Sequence, residues 1–174
     1  MEYTFTLKFQ LSAENDDQVA IVERLGIEGC DDALIGIGQP GRVALEFIRE
    51  SDSAEAALVS ALADVKRAIP TAKLIEVSPD FVGLTDAADV VGVTRQNMRK
   101  LMLAHPTRFP IPVHEGSAAI WHLADILDWL QDRGGYILEQ AVIDVAKTAK
   151  QINLSKESRL LVPRIDREVR NLVA

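Results

Sequence analysis

The sequence predicts an α+β protein built from three consecutive segments, residues 1–78, 80–134 and 135–174. Three patterns carry that expectation. Apolar residues alternate at period two near the start, an Ala-x-x-x-Gly spacing sits between two short helical patterns in the middle, and apolar steps of three and four run through the tail.

In the first segment Tyr3, Phe5, Leu7, Phe9 and Leu11 fall on one face, the pattern of a half-buried strand. A helix is expected over 15–26, with Val19, Val22 and Leu25 on one face and Gly26 as its stop. Two strand-like runs, 33–37 and 42–48, flank Gly38-Gln39-Pro40-Gly41. Ser51 or Ser53 can cap a helix that reaches Ile69 before Pro70, and 73–77 is a last strand. This β-α-β-β-α-β order resembles the ferredoxin-like split βαβ sandwich. Gly36, Gly38 and Gly41 match the spacing of a dinucleotide-binding loop. That loop must open a helix, whereas a strand pattern follows here, so a hairpin turn is the better reading. Ser78-Pro79-Asp80 reads as a hinge.

Residues 84–102 have the spacing of a helix-turn-helix. Ala88 is small where a second helix would cross, and four residues later Gly92 supplies the positive φ of the turn. Val93 plugs the space between the helices, and Thr94 caps the second, whose Met98, Leu101 and Met102 face inward. At the first helix start, Thr85 can cap and Asp86 suits the positive end of the dipole. Arg95, Gln96, Arg99 and Lys100 are left facing out, with Asn97 at the border. Arg, Gln and Asn can pair bidentately with guanine and adenine edges in a major groove. From Val93 to Arg108 there are four basic residues (Arg95, Arg99, Lys100, Arg108) and no acid.

Residues 110–121 then read as two short strands around Gly116-Ser117. Leu123, Ile126, Leu127 and Leu130 form another amphipathic helix, with Trp121 and Trp129 as core fillers. Helix-turn-helix, hairpin and helix within about 55 residues, closed by Asp125-Ile126-Leu127-Asp128-Trp129-Leu130, resemble the winged helix-turn-helix of the MerR/excisionase superfamily. The resemblance implies that the second helix enters the major groove of double-stranded DNA and that the wing touches the backbone or minor groove. It maps groove contacts to Arg95, Gln96, Arg99 and Lys100 and wing contacts to His114 and Ser117; Thr94, Asn97 and Arg108, beside them in the sequence, complete the expected DNA-binding set. The wing departs from the family in carrying Glu115 and no Arg or Lys.

In the tail, Leu138, Ala141, Val142, Val145, Ala149 and Ile152 form one stripe, and Leu161, Ile165, Val169 and Leu172 a second after Pro163. Both are expected in helices that hold two chains together as a homodimer or grip a protein partner, with packing back on the chain's own front segment as the alternative.

Charge is unevenly spread. Residues 1–79 carry seven basic and fourteen acidic side chains, 80–134 carry five and seven, and 135–174 carry seven and five. The net charge of −7 therefore belongs to the front, and a local basic face can still meet phosphates. No apolar run approaches the ~20 residues of a membrane span, and the start lacks a secretory pattern, so a cytoplasmic protein with no membrane contact is expected. Cys30 is the only cysteine, beside Asp31 and Asp32, whose charge would raise its pKa. The pairs Asp16-Asp17 and Asp31-Asp32 read as solvated loop charges. His105, His114 and His122 are too widely spaced for a zinc site without cysteine help. No catalytic constellation and no cofactor site emerges. The expected function is a sequence-specific, dimeric bacterial transcription regulator whose front segment takes a ligand or partner. The alternative is an antitoxin-like interaction module that regulates itself through DNA.

Overall fold

The computed structural model describes residues 1–12, 17–170 and 172–173. The fold is α+β. Strands β1 (Glu2–Gln10), β2 (Ala33–Gly36), β3 (Arg42–Glu50) and β4 (Lys73–Ser78) form one antiparallel sheet in the order β2-β3-β1-β4. Helices α1 (Gln18–Ile27) and α2 (Ala54–Ala68) fall between β1 and β2 and between β3 and β4. The alternation in β1 does what period two requires. Tyr3, Phe5, Leu7 and Phe9 are buried on one face, opposite Arg49, Phe47, Leu45 and Val43 of β3. Phe5 and Phe47 stack with ring centroids 5.2 Å apart.

Helix α2 starts where Ser53 accepts the Ala56 N–H at 3.1 Å. Its Ala57, Leu58, Ala61 and Val65 are buried against this core, and the small alanines let the helix lie close. Helix α1 is turned differently from the sequence expectation. It buries Ile21 and Leu25, while Val19 is 69% and Val22 43% exposed. Three-residue steps fall about 60° short of a turn, so Val19 stands about 120° from Leu25 and Ile21 only about 40°. Asp17 caps the helix through the N–H groups of Val19 and Ala20, both at 3.1 Å. The expected start at Asn15, and Asp16, lie outside the described residues. Gly26 stays inside the helix, which runs on to Ile27.

A second core is built by β5 (Phe81–Val82), α3 (Leu84–Val91), α4 (Arg95–Ala104), β6 (Trp121–His122) and α5 (Leu123–Arg133). The expected hinge is locked. Asp80 is buried, its carbonyl accepts from Leu123 N at 2.7 Å, and its carboxylate is hydrogen-bonded to His122 Nδ1 at 2.6 Å.

Helix α6 (Gln140–Ser158) lies against both cores. Val145 (1% exposed) and Ala149 (0%) join the sheet core, and Ile143 and Ala146 join the second. Of the alternatives for this stripe, packing on the chain's own front segment is the one the fold uses, because the sheet, α2 and α5 present apolar surface that α6 covers. The last helix, α7 (Pro163–Val169), has no buried residue. Among the described residues no helix is long and apolar enough to cross a membrane.

Candidate nucleic-acid interface

The interface grows from the junction of α3 and α4. Asp86 accepts the Gly83 N–H at 3.1 Å and so closes the first turn of α3, a role expected of Thr85. The capping residue is Gly83, one residue before the helix. At the other end Gly92 adopts φ +74°, where any side chain would be strained, and the Val93 N–H reaches back to the Ala88 carbonyl at 2.9 Å. Ala87 and Ala88 are fully buried there. Thr94 then caps α4 by accepting the Asn97 N–H at 3.2 Å.

Met98 is completely buried and fixes the rotation of α4 against α3, with Leu101 and Met102 half-buried beside it. Everything else on the helix's first two turns faces solvent. Arg95, Gln96, Asn97, Arg99 and Lys100 are all exposed. Among the described residues none of these side chains makes a hydrogen bond or an ion pair. Arg108 follows in the loop after α4, also exposed and without a side-chain partner. Ten residues at 1.5 Å each give a rod about 15 Å long, of a size to enter a groove about 12 Å wide.

The hairpin expected over 110–121 is shorter than the sequence suggests. In place of two strands there is one antiparallel bridge, His114 with Ile120, held by Ile120 N to His114 O at 2.9 Å and Val113 N to Ile120 O at 2.7 Å. Pro110 and Pro112 have no N–H to extend the ladder. The Trp121–His122 pair instead joins Phe81–Val82 as a two-stranded sheet. His114, Glu115 and Ser117 are exposed at the tip. The His114 ring lies over Gly116, where a Cβ would come within 2.6 Å of its Nε2. An acid thus shares the tip with the two expected contacts.

The sequence marks Trp121 and Trp129 as core fillers but not the Phe109 and Arg133 that join them. Phe109 packs edge-on against Trp121 and Trp129, with centroids 6.0 and 5.1 Å away, and Trp121 Nε1 donates to the Pro110 carbonyl at 3.0 Å. Arg133 lies 5.7 Å over Trp129 and donates to His105 Nε2 at 2.6 Å. His105 caps the C-terminal end of α4, so Arg133 adds a cation at that end. Its spacing from α4, 29 residues after Ala104, gave no local signal. His122, by contrast, is buried against Asp80 and does not reach the interface. No group of three or more His, Cys, Asp or Glu that could hold a metal ion occurs among the described residues.

No protein-family model, curated protein or solved structure matches the chain. Three cations and two amides stand unpaired on one rigid, solvent-facing surface, against an otherwise acidic protein.

Proposed function

We propose that the protein binds double-stranded DNA sequence-specifically, inserting α4 into the major groove, and acts as a dimeric bacterial transcription regulator without enzymatic activity. One observation carries this reading. Met98 pins one side of α4 while Arg95, Gln96, Asn97, Arg99 and Lys100 stand exposed and unpartnered on the other. Arg pairs with guanine O6 and N7, Gln or Asn with adenine N6 and N7, and Lys100 with Arg108 supplies phosphate contacts. The tight turn at Gly92 and the bridge at His114 support a winged helix-turn-helix, with His114 and Ser117 as weak wing contacts. The β2-β3-β1-β4 order supports a ferredoxin-like front unit.

One small reader makes few contacts, and two half-sites multiply affinity. The second copy is assigned to α7, where Ile165 and Val169 are exposed with Leu161 just before the helix, and not to α6. The antitoxin-like alternative draws on the same apolar helix covering a different protein. Incubating the full chain with a pool of random duplexes and sequencing what it retains tests the proposal. An enriched motif with two-fold symmetry is expected, and retention without enrichment contradicts it.

A further inference from the structure

We propose that the groove between α2, β4 and α6 binds an anionic amphiphile, a small molecule with an apolar body and one carboxylate or phosphate head. The inference goes beyond DNA binding and does not depend on it. The groove encloses about 850 Å³, within the roughly 300–1,000 Å³ of small-molecule sites. Its floor is apolar, made by Phe9, Val59, Leu62 and Ile152. Its rim carries Lys66, Lys73, Lys147, Lys156 and Arg159 against one acid, Glu55. On a chain of net charge −7 this is a local reversal of sign, and it sits over apolar surface.

Three of the five cations are occupied. Lys66 donates to the carbonyls of Pro70 at 2.6 Å and Ala72 at 2.8 Å, Lys147 pairs with Asp128 at 2.8 Å, and Lys156 pairs with Glu157 at 2.8 Å. The side chains of Lys73 and Arg159 make no hydrogen bond or ion pair among the described residues. The exposed Val59 and the half-buried Leu62 and Ile152 of the floor suit an apolar body, and two uncommitted cations at its edge suit one anionic head. Other occupants fit less well. Helix α7 of a second copy would bring Arg164 and Arg167 to a basic rim. A DNA backbone would gain nothing from the floor.

The test is calorimetric titration of the full chain, without DNA, using sodium dodecanoate, dodecyl phosphate and dodecyltrimethylammonium below their micelle-forming concentrations. Saturable one-to-one binding of at least one anion is expected, and the tighter of the two identifies the head group. The cation should bind roughly tenfold more weakly or worse, and K73E/R159E should lose roughly tenfold or more of the anion affinity. Val59→Trp, a change at a half-exposed floor position, should block the groove. Amide chemical-shift changes in the unaltered protein should map to α2, β4 and α6, which needs no variant. The proposal is overturned by no saturable binding of either anion, by equal affinity for the cation, or by shifts mapping elsewhere. Displacement of the bound anion by random duplex DNA or by an α7 peptide would also overturn it, giving the groove to that occupant.

Discussion

Asn153 of α6 donates its side-chain N–H to Asp80 Oδ2 at 2.8 Å, and both side chains are buried between the two cores. The same amide donates to the Val77 carbonyl at 2.8 Å and accepts the Val77 N–H at 2.9 Å, while Asp80 Oδ1 holds His122. One residue therefore ties the last strand of the sheet, the junction after it and the start of α5 to a single helix. Removing it leaves a buried strand edge and one lobe of a buried carboxylate unpaired. Asn153→Ala is expected to cost about 2–4 kcal/mol in urea unfolding. A loss below about 1 kcal/mol would show that this network does not hold the two cores together.

The two tail helices should respond oppositely to charge. Val145→Asp buries an unpaired carboxylate in the sheet core and is expected to abolish folding, seen as loss of the cooperative thermal transition. Ile165→Asp with Val169→Asp alters only exposed positions and is expected to leave stability within about 0.5 kcal/mol. With α7 as the proposed seam, sedimentation or light scattering should give a dimer for the unaltered protein and a monomer for this double variant. A dimer that survives the change places the contact between chains away from α7.

How far the sequence could be read depended on the range of the signal. Period two in β1, the Ser53 cap, and the Ala88–Gly92–Thr94 turn are local, and each marks a feature that the chain builds locally. The buried face of α1 was missed because three-residue spacing imitates a helical stripe over two steps and drifts off it. The wing was overread because Pro110 and Pro112 forbid the ladder that the apolar pattern invites. The apolar stripe of α6 was recognised, but its pattern left both another chain and the chain's own front segment as partners. A helix reports that it has an apolar face, not whether its own sheet or another chain will cover it. For that reason cutting after residue 78, a natural step if the segments were independent, would strip Val145, Ala149 and Asn153 of their cover. The exposed face of α4 was legible because Met98, Leu101 and Met102 define the inward side. Arg133 was not, since only tertiary packing on Trp129 brings it near.

Cys30 gives a pH-dependent prediction. Burial first, and the nearby Asp64 carboxylate second, push its thiol from 9.0 up to about 11. Below pH 9 the thiol is protonated in both folded and unfolded chains, and its contribution to stability is constant. Between pH 9 and about 11 the unfolded chain releases a proton that the folded chain keeps, so stability falls as pH rises. The loss is roughly 1.4 kcal/mol per pH unit across that window and about 2–3 kcal/mol in all. Cys30→Ala should flatten this alkaline slope in urea titrations at pH 8 to 11. An identical slope in the variant would mean that the thiol titrates normally when folded.

The reading of α4 as the DNA-contacting helix is tested most directly by titrating full-length protein and Arg99→Ala against the duplex enriched from a random pool, at two salt concentrations. Arg99 stands exposed and unpartnered one residue after the buried Met98, so its loss should remove a groove contact without disturbing the fold. The predicted result is a loss of about 1–3 kcal/mol on the enriched duplex, relaxed preference at one base pair of each half-site, and an unchanged thermal transition. Equal affinity and equal base preference for the two proteins would contradict the assignment of α4 as the helix that reads DNA.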